Sequence, residues 1–333
     1  MVDLPKQYNY CLDFIKGIAC IFVVFLHCEF PGIMGVAVQA ISRYCVPLFF
    51  MVSGYYYLSP KTLNVDERRR KVWHICKITV WASLFYIIFG IIQTMLSQSQ
   101  FEPLSIKKIL AFIGLNQMFF IVSQMWFLYA LLYVYVALLF INQEWYRRNS
   151  GKIALVCLIL YLFLAQGLHV AGISIPNYIY KNWLIEGMGF FSLGFTLHQY
   201  QQEIKINNNV LIAVFITTTI FSLFERYFLG RDFGVNIFSI PQVTALMICA
   251  IKNPLKHEGL IQRLGRDCSM MVYILHPAVW HSFEGLYEKM SFSESLLAMY
   301  IMPMLVLIFS ILFSMLFNVF KSRMSKRNLM IKT

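Results

Sequence analysis

The stretch Cys11-Leu12-Asp13-Phe14-Ile15-Lys16-Gly17-Ile18-Ala19-Cys20-Ile21-Phe22-Val23-Val24-Phe25-Leu26-His27-Cys28-Glu29-Phe30 decides the fold. Only Asp13, Lys16, Gly17, His27 and Glu29 interrupt an otherwise apolar run. A helix that crosses a bilayer needs about 20 mainly apolar residues, and this run supplies them. It lacks the period-2 alternation of a membrane β-strand. Nor does it read as a cleaved signal peptide, since polar groups sit in its apolar centre and no small-x-small site follows. The box Gly17-Ile18-Ala19-Cys20 resembles a lipoprotein cleavage site only faintly, because the apolar run lies mostly after the cysteine.

Working outward, similar runs recur along the chain. Together with the first they give ten predicted spans: 11–30, 36–58, 72–95, 124–142, 152–171, 181–199, 209–226, 235–252, 268–288 and 294–320. The stretch 106–122 is shorter, opens with Lys107 and Lys108, and reads as an interfacial or half-buried helix. Composition agrees. Of 333 residues, 59% are hydrophobic and 13% charged, about half the charged share of a soluble domain. No single soluble core hides so much apolar surface, and disorder needs the opposite composition. The expected fold is therefore all-α: one polytopic membrane helix bundle over 1–333, with a basic tail at 321–333.

The formal net charge of +12 would suggest nucleic acid in a soluble protein, but here it reads as topology. With the N-terminus inside, 21 of the Lys and Arg fall in inside segments and 6 in outside ones, Arg43 lying within a span. Both termini are expected in the cytoplasm, and no nucleic-acid partner is needed. The eight cysteines are scattered without a C-x-x-C pair and read as small apolar helix residues.

Ionisable groups inside spans are expensive and usually face a bundle interior. They are Asp13, Lys16, His27, Arg43, Glu186, His276, His281 and Glu284. Lys16 and His27 are eleven residues apart, about three turns, so they share one helix face roughly 16 Å apart. Asp13 is placed to pair with Lys16. Snorkelling explains Lys16 as well, and a hydrogen-bonded packing role explains His27 as well. Glu186 is the natural partner for Arg43. Pro47 and Pro277 should distort their helices, and Gly54 should allow close approach. His276 and His281 are five residues apart and do not share a face, so no metal site is expected. No P-loop, G-x-S-x-G or Ser/His/Asp ordering is present.

These residues resemble the acyltransferase 3 family of integral membrane acyltransferases. The first span is similar to that family's opening motif, a basic residue, ten residues and a His, with Lys16 where many members have Arg. Val46-Pro47-Leu48-Phe49-Phe50-Met51-Val52-Ser53-Gly54-Tyr55 is similar to the second-span signature, and Arg43 stands where one branch has Arg. Trp126-Phe127-Leu128-Tyr129-Ala130-Leu131 resembles the fourth-span motif. Leu264-Gly265 with Ser269, Tyr273, Ile274 and His276 resembles the ninth. The resemblance covers essentially the whole chain.

It implies a multi-pass enzyme of the cell membrane that moves an acyl group, commonly acetyl from acetyl-CoA, to a hydroxyl of an extracytoplasmic glycan. No bound cofactor is implied; acyl-CoA is the donor substrate. The fused esterase-like domain of many members is not expected, which suggests the stand-alone type. His27, Lys16 and Asp13 are the expected catalytic group, with His27 as general base or acyl carrier. Arg43, Ser53, Trp126, Glu186, Tyr273 and His276 are expected around the acceptor, some as oxyanion donors. Arg68, Arg69, Arg70, Lys71 and Lys77 are expected to meet the CoA phosphates, although topology alone also accounts for this basic run. Partners are thus acyl-CoA, the glycan and the bilayer. On physics alone, a transporter or flippase suits the same charges and broken helices, as does a membrane anchor acting with a separate catalytic partner.

Overall fold

The computed structural model describes residues 9–57, 64–97, 105–118, 122–255, 257–289 and 295–330. The chain is helical throughout, with no strand among the described residues. In order, the helices are α1 (Tyr10–His27), α2 (Gly32–Ser42), α3 (Cys45–Tyr55), α4 (Val65–Ser97), α5 (Ile106–Leu115), α6 (Trp126–Phe140), α7 (Gln143–Leu162), the short turn α8 (Leu168–Val170), α9 (Met188–Gln199), α10 (Asn208–Leu229), α11 (Ser239–Lys252), the short α12 (Leu260–Arg263), α13 (Ser269–Lys289) and α14 (Leu296–Met330). Single π-helical turns join α7 to α8 (Phe163–Gly167), lead into α9 (Trp183–Gly187) and join α12 to α13 (Leu264–Cys268).

Among the described residues, seven helical stretches are long and apolar enough to cross a membrane: Tyr10–His27, Gly32–Tyr55, Val65–Met95, Ser123–Phe140, Gln143–Val170, Asn208–Leu229 and Leu296–Arg323. Their outward faces carry large apolar side chains, such as Trp81, Ile88, Phe224 and Leu316, that water would penalise and lipid would not. The other three predicted spans are helical but shorter or more polar. They are the π turn plus α9, the 14-residue α11, and α13 with its histidines.

The chain divides into two compact units, residues 1–45 with 245–333 and residues 46–244. In the first, α1 packs against α2, α12, α13, α14 and the π turn at Leu264–Cys268. Glycine decides this packing. A methyl group on Gly265 would overlap the Asp13 carbonyl oxygen, and one on Gly17 would overlap that of Ile261. Asn9 caps α1 by accepting from the Cys11 N–H, and its amide donates to the Ala250 carbonyl at 2.9 Å. In the second unit α4 lies against α6, and α7 against α9. The expectation for Gly54 holds there: it lies against the Phe191 carbonyl, as Gly194 lies against that of Met51.

Several boundaries differ from the sequence reading. The predicted span 36–58 begins earlier and breaks at Arg43-Tyr44. Pro47 is not the cause: it stands in the first turn of α3, where its missing N–H is no loss. Residues 143–152, predicted as a connection, are the start of α7, because Asn142 accepts from the Trp145 N–H. Likewise α4 begins at Val65, so the basic run is helical. The interfacial stretch is a ten-residue helix, capped by Ser105 and closed by Asn116 at φ 48°. Part of its predicted extent, 119–121, lies outside the described residues. The predicted tail continues α14 as far as Met330.

Candidate functional site

In the first unit α1 carries the expected catalytic group. Asp13 is 1% exposed, and Lys16 donates from Nζ to its Oδ1 at 2.9 Å. The expected pair therefore forms, between neighbouring turns of one helix. Its surroundings are charged. Arg266 donates from two nitrogens to the Asp267 carboxylate at 2.8 and 2.9 Å, and also pairs with Glu258. These hydrogen bonds, helped by the fields of Arg266, Lys16 and Arg263, hold the Asp267 carboxyl below the usual carboxylate range.

His27 is the last residue of α1 and is half-buried. Its ring stacks on that of His276, with centroids 5.3 Å apart and planes 25° from parallel. His276 is fully buried on α13. Its ring hydrogen-bonds the backbone of Val272 and Tyr273, Nδ1 lying 3.1 Å from the Val272 carbonyl. Pro277, inside α13, cannot donate to the Tyr273 carbonyl four residues earlier. The Tyr273 ring is 6.2 Å from that of His276. So the first unit brings together His27, His276 and Tyr273, and separately Asp13 and Lys16. Arg43 also belongs to this unit, at the end of α2.

Ser53, Trp126 and Glu186 belong to the second unit. The Ser53 hydroxyl donates to the Phe49 carbonyl of its own helix at 2.8 Å. Trp126 is buried beside Phe50, with Lys181 Nζ 4.8 Å from its ring centroid. Glu186 is 1% exposed, in the π turn before α9.

The basic run separates by helical phase. Arg68 is buried, donates to the Leu138 carbonyl at 3.1 Å, and borders an open pocket of about 520 Å³ with residues 139–144. Lys71 is half-buried and donates to the Tyr56 and Tyr57 carbonyls at 2.9 and 3.4 Å. Arg69, Arg70 and Lys77 are exposed; Arg70 pairs with Glu67, and Lys77 lies over the Trp73 ring. Arg68 and Lys71 thus also hold helix ends and turns together.

Sequence reading missed a polar lock in the second unit. Glu225, 8% exposed, accepts from the Gln166 amide and the Ile237 N–H at 2.7 Å each, and from the Phe238 N–H at 3.2 Å. The Tyr161 hydroxyl donates to the Phe233 carbonyl and accepts from the Val235 N–H nearby. Glu225 lies at the very end of a predicted span, where a carboxylate draws no notice, and its partners are distant in sequence.

The chain matches the model of the acyltransferase 3 family, described as an acyltransferase domain, over residues 9–323. Comparison with curated proteins and with solved structures finds no match. A histidine pair joins the motif-bearing first and ninth segments of a helical membrane protein, a lysine–aspartate pair lies on the first, and the family match spans both. The chain belongs to the acyltransferase 3 family and is an integral membrane acyltransferase.

Proposed function

We propose that the protein sits in the cell membrane and transfers an acyl group, acetyl in the first instance, from cytoplasmic acyl-CoA to a hydroxyl of an extracytoplasmic surface glycan. One observation carries the reading. A single helix, α1, holds Lys16 fixed by Asp13 near one end and His27 at the other. The two are separated by about 16 Å of helix, roughly half a bilayer. That spacing suits a donor whose phosphates stay in water while its thioester reaches inward.

In this reading Lys16 meets the anionic part of the donor, and Asp13 keeps the ammonium pointed. His27 supplies the imidazole, as general base on the hydroxyl or as transient acyl carrier. The thioester C–S bond breaks, an ester C–O bond forms, and the hydroxyl proton ends on the departing thiol. Arg43 and Tyr273, in the same unit, are the polar candidates for the acceptor and the developing oxyanion.

The test is labelled acetyl-CoA supplied to membranes containing the full chain, with and without His27→Ala. The unaltered chain should pass label to glycan, and the variant should pass none while remaining folded. Normal labelling by the variant would overturn the role of His27. Glycan movement without label incorporation would favour a transporter.

A further inference from the structure

The second imidazole of the pair has a defined free edge. A carbonyl can only accept, so the Nδ1 of His276 that faces Val272 carries a hydrogen. In the neutral ring this leaves Nε2 with a lone pair. Nε2 is buried and has no hydrogen-bond partner among the described residues. A buried polar atom left without a protein partner is uncommon and needs a reason.

The second histidine narrows that reason. The His27 ring lies beside that of His276, with centroids 5.3 Å apart, and Nε2 makes no hydrogen bond to it. The two rings thus offer separate nitrogens for separate roles. The Tyr273 ring lies close to the same His276 ring. Other titratable groups lie near the pair: Glu29 and Glu284 by Cys28, and His281, which is paired with Glu284.

We infer that His276 Nε2 is the base that receives the proton of the acceptor hydroxyl, and that this frees His27 to carry the acyl group. The inference rests on the acyltransferase reading above and decides between its two roles for His27. A ring nitrogen of His27 attacks the thioester carbonyl, the C–S bond breaks, and the CoA thiolate leaves. The acceptor oxygen then attacks the carbonyl of the resulting acyl-imidazolium. Its proton moves to His276 Nε2, the new C–O bond forms, and the C–N bond breaks with its electrons returning to His27. The proton on His276 is later released to water, which balances the protonation of the departed thiolate.

The experiment compares the full chain with His276→Asn in proteoliposomes, using labelled acetyl-CoA and a methyl hexoside as the hydroxyl probe. Asn keeps a donor for the Val272 carbonyl but has nothing at the Nε2 position. Transfer to the hexoside should fall by about 10²-fold or more, the scale of a lost general base. Intact-protein mass spectrometry within seconds of mixing should show one acetyl group retained on the variant. The double variant His27→Ala, His276→Asn should retain none. His276→Gln, whose amide oxygen reaches toward the Nε2 position, should recover at least about ten-fold over Asn.

Transfer by His276→Asn within about three-fold of the unaltered chain overturns this inference alone, because general-base loss is larger. Loss of transfer with no retained acetyl group also overturns it, since His276 would then be structural. No transfer by the unaltered chain overturns this inference together with the acyltransferase reading of the site. If His276→Asn does not fold, His276→Gln against His276→Met decides: equal rates with no retained acetyl group overturn the proposal.

Discussion

At the scale of single residues, the Asp13–Lys16 pair separates two jobs that one lysine could have. A snorkelling lysine needs no partner, whereas this ammonium is held at 2.9 Å by a carboxylate that is 1% exposed. Lys16→Ala should raise KM for acetyl-CoA about ten-fold, about 1.4 kcal/mol of lost binding, with KM for the acceptor unchanged. It should also remove the ammonium that pairs with the buried Asp13 carboxylate and lower stability by about 1–3 kcal/mol. The double change Asp13→Asn, Lys16→Ala should recover most of that stability but not the KM. Lys16→Arg should keep both. A shift confined to the acceptor would place Lys16 on the other side of the reaction. Sequence spacing alone made this pair legible, because i,i+3 neighbours on a helix must meet. The His27–His276 contact was not legible in the same way. It joins α1 to a helix near the far end of the chain, and no local spacing rule reaches that distance. The cost of placing ionisable groups inside spans singled out both histidines among eight residues, and the family resemblance placed both in motifs, but neither paired them.

At the scale of elements, the close approach of α1 to the α12–α13 turn should be the least forgiving packing in the first unit. In Gly265→Ala the new methyl group meets backbone at Asp13 and Gly17, and backbone cannot rotate aside. Overpacking typically costs about 1–3 kcal/mol, and a rigid neighbour places this change at the upper end. Because Asp13 lies at the contact, activity should fall with stability. Gly285→Ala is the matched control on α13, since its added methyl meets nothing within 4 Å. It should be neutral or stabilising by about 0.5–1 kcal/mol. Thermal midpoints of the purified variants in detergent check both. In the second unit, Glu225→Ala should release the Ile237 and Phe238 amides and speed their hydrogen exchange, with a loss of about 1–3 kcal/mol. Unchanged exchange there would mean that the carboxylate does not hold this loop. The helices themselves were readable from hydropathy. Their interruptions were not, because π turns and the Arg43-Tyr44 break leave the apolar pattern intact.

At the scale of the whole molecule, topology turns on how many helices cross. Seven satisfy length and hydropathy, and an odd number would put the two ends of the chain on opposite sides. The cation asymmetry of 21 to 6, counted on ten predicted spans, fits an even number. The three remaining helical segments reconcile the two if all of them cross. Helix α13 has 21 residues, about 31 Å and enough for a hydrocarbon core. Its average polarity comes from His276, His281 and Glu284, of which His276 is fully buried and so is not exposed to lipid. Helix α11 has 14 residues, about 21 Å, and crosses only if residues 235–238 before it lie at membrane depth. Irregular backbone survives at that depth only when its polar groups are satisfied within the protein. Glu225 does this for the Ile237 and Phe238 amides, and Tyr161 for that of Val235. The segment before α9 meets the same condition, since the Asn182 side chain accepts from the Leu184 and Ile185 amides. A fluorescent reporter fused after Thr333 should therefore fold and fluoresce in the cytoplasm, and a periplasmic phosphatase fused there should be inactive. The reverse pattern would show that one or all three of the segments stay out of the bilayer. Repeating the fusions after residues 207 and 257 would then tell these cases apart.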